Sequence, residues 1–128
     1  MVVDASIVAA AIIDPLGAAM RAMIGAISLE APEHLVLEVA AAVRSRTLRG
    51  EMTLDEATEA LRRLQRLPIL CHPLVALVDR VWELRDNLTP YDAAYVALAE
   101  RLRTALLTAD AAIASAPGVR CRVELIRL

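Results

Sequence analysis

Four acidic residues stand where an isolated carboxylate is out of place. Asp4 ends the opening apolar run Met1-Val2-Val3. Glu38 is the one acid inside His34-Leu35-Val36-Leu37-Glu38-Val39-Ala40-Ala41-Ala42-Val43. Asp92 precedes Ala93-Ala94-Tyr95-Val96-Ala97-Leu98-Ala99. Asp110 follows the apolar run that ends at Leu107. Each has a purely structural reading. Asp4 and Asp110 suit helix N-caps, Asp92 suits a box with Thr89, and Glu38 suits a solvated stripe shared with Ser45. Taken together, four acids in apolar surroundings are candidates for one pocket. Clustered carboxylates repel unless a hard cation holds them, and oxygen-rich sites with bound water suit Mg2+ or Mn2+.

Composition narrows the alternatives. The chain has 128 residues, enough for one domain spanning 1–128 with a core of its own. Hydrophobic residues make up 58% and aromatics only 2%, with no Phe, so that core is built from Ala, Leu, Val and Ile. Disorder is excluded by this apolar content. No charge-free stretch reaches the roughly 18–20 residues of a spanning helix, so no membrane segment is expected. The start, Met1-Val2-Val3-Asp4, lacks the basic region of a signal peptide, and the expected location is the cytoplasm. Cys71 and Cys121, with no CxxC, form neither a disulfide framework nor a zinc site and read as small core residues. All 14 basic residues are Arg. Without Lys there is no P-loop, and phosphoryl-transfer sites that need a Lys are excluded. Four glycines and no GxGxxG argue against a dinucleotide fold. A net charge of −2 argues against simple electrostatic binding of nucleic acid.

The elements that must position the acids follow from short apolar runs and their stop signals. Strands are expected at 1–3, 26–29, 69–72, 104–107 and 122–126. Helices are expected at 6–13, stopped by Asp14-Pro15, and at 16–25, 33–49, 74–84 and 111–116. Thr53-Leu54-Asp55-Glu56 is a capping box that opens a helix to about Arg66. Thr89-Pro90 opens another, to about Arg103, with Pro90 at its first position. Alternating strands and helices predict an α/β fold: a three-layer α/β/α domain with a central, mainly parallel sheet of about five strands. In such a sheet the site lies outside the C-terminal strand ends, where the strand order switches. Asp4 and Asp110 fall at such ends. His34 and His72 have no partner constellation and are read as non-catalytic. Trp82, Tyr91 and Tyr95 are read as packing residues, and Met20 and Met23 as core or interface filling.

Four segments, in order, resemble the acidic motifs of PIN-domain ribonucleases. They are Val2-Val3-Asp4-Ala5-Ser6, Leu37-Glu38-Val39-Ala40, the run from Leu88-Thr89-Pro90-Tyr91-Asp92 to Ala97-Leu98-Ala99, and Leu107-Thr108-Ala109-Asp110. Their order and spacing are similar to the small VapC toxins of bacterial toxin–antitoxin modules. The resemblance implies that Asp4, Glu38, Asp92 and Asp110 surround the catalytic divalent metal, Mg2+ or Mn2+, with Ser6 and Thr108 beside it. It implies hydrolysis of RNA, a cognate VapB-type antitoxin that obstructs the site, and a homodimer within a larger complex. One divalent ion would bring the net charge from −2 to about 0, which reconciles the acidic chain with an RNA substrate. Arg44, Arg46 and Arg49, beyond Glu38, are candidate RNA contacts. The chain departs from many relatives at Ala111-Ala112, where basic residues are common, which argues against an RNA contact from that helix. A competing expectation is an inactive PIN-like module that acts through protein–protein binding.

Overall fold

The computed structural model describes residues 1–26 and 28–128. In chain order the elements are β1 (Val2–Val3), α1 (Ala5–Ile13), α2 (Ala18–Ile24), β2 (Leu29–Pro32), α3 (Leu35–Leu48), α4 (Leu54–Arg66), β3 (Ile69–His72), α5 (Val78–Glu83), α6 (Pro90–Leu102), β4 (Leu106–Thr108), α7 (Ala111–Ser115) and β5 (Val123–Leu125). A 3-10 turn at Val75–Leu77 precedes α5.

All five strands pair in parallel, in the order β3-β2-β1-β4-β5. With the helices this makes the expected three-layer α/β/α arrangement. β1 is central and only two residues long, and both its valines are fully buried. Its register places Val2 against Leu106 and Val3 against Leu107. From β1 the sheet grows one way through β2 and β3, and from β4 the other way to β5. The order therefore switches between β1 and β4, and a crevice opens beyond their C-terminal ends. Asp4 follows β1 directly. Its backbone N–H still donates to the Leu107 carbonyl at 3.1 Å, so the carboxylate starts from the sheet itself.

Local signals set the helices that carry the remaining acids. Thr53 and Glu56 exchange hydrogen bonds in a capping box at the start of α4, as the sequence predicts. Thr89 caps α6 by accepting from the Asp92 N–H at 3.2 Å, with Pro90 in the first turn. Residues Ala93 through Ala99 of α6 are all buried, and the helix lies against β1, β2 and β4. Its alanines permit that close approach, because larger side chains would hold the helix off the sheet. The far end of α6 is fixed by Arg80. Its guanidinium reaches both oxygens of Glu100, at 2.7 and 3.1 Å, and donates to the Gly118 carbonyl at 2.6 Å.

Several sequence expectations shift. The strand expected at 26–29 forms instead at Leu29–Pro32, and Ile27 lies outside the described residues. Pairing decides the register: Leu29 through Pro32 match Ile69 through His72 of β3, residue for residue. The helix expected at 74–84 is a 3-10 turn followed by six residues of α5. Strand 104–107 begins later and includes Thr108. Cys71 is exposed and Cys121 half-buried, so neither is a core residue. Cys71 lies on β3, an edge strand whose middle residues Leu70 and Cys71 are both exposed. Trp82 and Tyr91 also lie on the surface, and only Tyr95 is packed inside.

The approach of α6 to the sheet gives a direct test. Ala99 is fully buried. Ala99→Leu overpacks this contact and is expected to cost about 1–3 kcal/mol in urea unfolding. An unchanged midpoint would show that α6 has room to spare.

Candidate active site

Asp4 is the best-determined group of the cluster. It is 4% exposed and caps α1. Its Oδ1 accepts from the Ser6 hydroxyl at 2.5 Å, the Ser6 N–H at 3.1 Å and the Ile7 N–H at 3.3 Å. Its Oδ2 accepts from the Thr108 hydroxyl at 2.5 Å. Burial pushes this carboxyl above the ordinary aspartate value, and the four donors pull it only part of the way back. The N-cap reading of Asp4 therefore holds. Three donors saturate Oδ1, while Oδ2 keeps an unused lone pair.

The two hydroxyls also tie the strand ends together. Ser6 Oγ accepts from the Ala109 N–H at 3.0 Å. Thr108 Oγ1, fully buried, accepts from the Asp110 N–H at 3.0 Å. A carboxylate only accepts, so each hydroxyl proton points at Asp4 and each lone pair faces the β4 side. Asp110 is thereby held beside Asp4, and its Oδ1 caps α7 by accepting from the Ala112 N–H at 2.8 Å.

Asp92 and Glu38 complete the group. The Asp92 carboxyl is pushed up by burial and by the negative charges of Asp110, Glu38 and Asp4, against which the Thr89 hydrogen bond is a smaller opposing effect. Those three acids are thus near enough to act on Asp92. Burial would also raise Glu38, but hydrogen bonds from His34 and Tyr95 outweigh it and hold the carboxyl below the usual glutamate value.

These two partners were missed by the sequence reading, which gave Tyr95 to packing and found no partners for either histidine. The Tyr95 hydroxyl donates to Glu38 Oε1 at 2.6 Å, and His34 Nε2 lies 3.1 Å from the same oxygen. The signals were spacings. His34 precedes Glu38 by four residues, and Tyr95 follows Asp92 by three, so each pair shares a helix face. His72 lies elsewhere and pairs with Glu30 at 3.0 Å.

Arg44, Arg46 and Arg49 are all exposed. At 1.5 Å per residue, Arg49 is about 16 Å along the chain from Glu38. Arg49 already pairs with Glu51 at 2.9 Å and donates to Ser45.

The donor set is chemically suited to a hard divalent cation: carboxylate oxygens, with two hydroxyls ordered around Asp4. It is an open set. Among the described residues, no three His, Cys, Asp or Glu side chains already converge as a metal cage.

The PIN-domain family model matches residues 1–119. Over 126 residues the chain is 37% identical to a VapC ribonuclease of Mycobacterium bovis, covering 98% of each chain. It is 39% identical to ribonuclease VapC1 of Mycobacterium tuberculosis, covering 93% of this chain and 95% of that one. The chain belongs to the PIN-domain family of VapC ribonucleases. The crystal structure of Mycobacterium tuberculosis VapC20, described as a sarcin-ricin loop cleaving toxin, superposes with a TM-score of 0.62. That match covers 82% of this chain and 85% of VapC20 at 16% identity, and it supports the PIN fold alone.

The repulsion at Asp92 has a measurable sign. A carboxyl whose pKa is raised in the folded state makes that state less stable as pH rises through the raised value. Asp92→Asn removes the penalty. In chelator, the variant is expected to melt above the wild-type PIN domain near neutral pH. The gap should narrow as pH falls through the raised value and close below about 3.9, where the wild-type side chain holds its proton in both states. Scanning calorimetry across pH reads this. Wild type melting at or above the variant at neutral pH would mean the acids do not strain one another.

Proposed function

We propose that this VapC-family chain, a single domain over 1–128, is a divalent-metal-dependent endoribonuclease and the toxin of a toxin–antitoxin pair. What supports the reading is the joining of Asp4 and Asp110 through Ser6 and Thr108 at the ends of β1 and β4, with Glu38 and Asp92 near enough for their charges to interact. Its family membership supplies the substrate class, since its relatives are named ribonucleases.

In this reading the four carboxylates hold Mg2+ or Mn2+, which when bound supplies an activated water and neutralises charge on the scissile phosphate. Asp4 is fixed by its four donors and offers the free lone pair of Oδ2. Ser6 and Thr108 orient Asp4 and keep the Asp110 backbone beside it. Asp92 gains most from a cation, because three neighbouring acids oppose its ionisation. RNA approaches over the carboxylates. Of the three candidate arginines Arg44 is the least engaged, because Arg46 and Arg49 both act on Glu51.

The partners follow from the same reading. The antitoxin is of the VapB type, and the active unit is a homodimer in the cytoplasm. No single helix among the described residues is long and apolar enough to cross a membrane. An apolar groove of about 280 Å³, lined by Leu74, Leu77, Val78, Val81 and Tyr91, reaches His34, the neighbour of Glu38. It suits an apolar peptide segment that would obstruct the acids. The exposed Val75, Val78 and Trp82 nearby favour the second reading, an inactive PIN-like module that binds proteins. The intact acid set speaks against it.

Asp4→Asn and Asp92→Asn are each expected to cut RNA cleavage at least about a hundredfold, because removing a ligand costs more than removing a group that orients one. Circular dichroism should show both variants folded. Unchanged cleavage in both folded variants would remove the nuclease reading. Calorimetric titration of the wild type with MnCl2 separates the two readings, since the inactive module predicts no binding.

A further inference from the structure

Glu38 differs from the other acids in how it is held. Asp4 and Asp110 are fixed by backbone and hydroxyl groups close to them in the chain or across the sheet. Glu38 has a longer, freer side chain, and what restrains it comes from an aromatic pair. The Tyr95 hydroxyl, on a side chain only 1% exposed, lies 2.6 Å from Glu38 Oε1. A phenol facing a carboxylate must donate, and this distance is that of a charge-assisted bond. His34 Nε2 lies 3.1 Å from the same Oε1 and 3.0 Å from the Tyr91 carbonyl oxygen. Both neighbours accept, so Nε2 carries a proton. The imidazole packs against Tyr95 and Tyr91, with ring centroids 4.8 and 6.0 Å away, which fixes its plane.

Both restraints fall on one oxygen. The Tyr95 hydroxyl fills one lone pair of Oε1, and the single Nε2 proton is shared between Oε1 and the Tyr91 carbonyl. Among the described residues Oε2 receives no hydrogen bond, and it is not a buried atom. The carboxylate therefore has one tied oxygen and one free oxygen.

We propose that Tyr95, with His34 beside it, is a positioning residue that ties Glu38 by Oε1 and so presents Oε2 alone to the divalent ion. The inference rests on the metal-dependent reading above and adds to it how Glu38 binds: as a one-oxygen ligand, set in place before the ion arrives. Partners that orient metal ligands in this way influence affinity nearly as strongly as the ligands themselves.

Tyr95→Phe keeps the ring in the core and removes only the donor. Titration of the full-length protein with MnCl2, by calorimetry and by the loss of the free-ion electron paramagnetic resonance signal, should show the dissociation constant rising about tenfold. In a Glu38→Gln background the same substitution should leave the remaining affinity unchanged, because Tyr95 acts through Glu38. His34→Phe, which keeps an aromatic ring and loses Nε2, should also weaken Mn2+ binding, and it serves if Tyr95→Phe does not fold. Wild-type affinity in both folded single variants overturns the proposal and leaves the metal reading standing. Equal losses with and without Glu38 would also overturn it, since they mark Tyr95 as a general packing residue. A wild-type protein that binds no Mn2+ overturns the metal reading and this proposal together.

Discussion

Repulsion on Asp92 from the neighbouring acids Asp110, Glu38 and Asp4 is the constraint that the anchors of this site must meet. Asp4, Glu38, Asp92 and Asp110 come from β1, α3, α6 and the end of β4, and folding brings them within range of one another. Such a gathering opposes folding, and it persists because each acid is anchored separately. Asp4 takes four donors, Asp110 is bound through its backbone and caps α7, Asp92 sits in a capped first turn, and Glu38 is tied by Tyr95 and His34. Most of these anchors are short-range and need only the right residue at a helix start. The exceptions, Thr108 to Asp4, Ala109 to Ser6 and Tyr95 to Glu38, span the fold and depend on the sheet order.

The topology explains why the anchors can be so economical. β1 contributes only two residues, yet it lies between β2 and β4 with both valines fully buried. A strand that short delivers its following residue to the switch in strand order almost at once. Asp4 therefore serves the sheet, through its N–H to Leu107, and the helix, through its cap on α1, before it serves any ligand. The alanine-rich face of α6 serves the same end from the other side. It lets the helix come close enough for Tyr95 to reach α3.

Much of this was legible in the sequence, and the limits are physical. Element order, the capping box at Thr53, the Thr89-Pro90 start and the strand Ile69–His72 follow from local chemistry, and the structure bears them out. The second strand was displaced because the run around Ile27 is apolar enough for a strand, whereas its true bounds come from pairing with β3. Cys71 was misplaced for a related reason. Burial on an edge strand depends on what covers it, and composition does not carry that. The acids were visible as charges in apolar runs and as candidates for one pocket, but the groups that hold each of them were not. His34 and Tyr95 were invisible in their roles, because a residue that acts through another, 57 positions away, leaves only an ambiguous helical spacing. Trp82 and Tyr91 show the opposite error: aromatic residues read as packing that lie on the surface.

Anomalous diffraction from a crystal of the protein soaked in MnCl2 tests the central claim most directly. The account predicts a manganese peak beyond the C-terminal ends of β1 and β4, coordinated by carboxylate oxygens of Asp4, Glu38, Asp92 and Asp110. Full soaking with no peak among these four carboxylates, or with manganese bound only elsewhere, would contradict it.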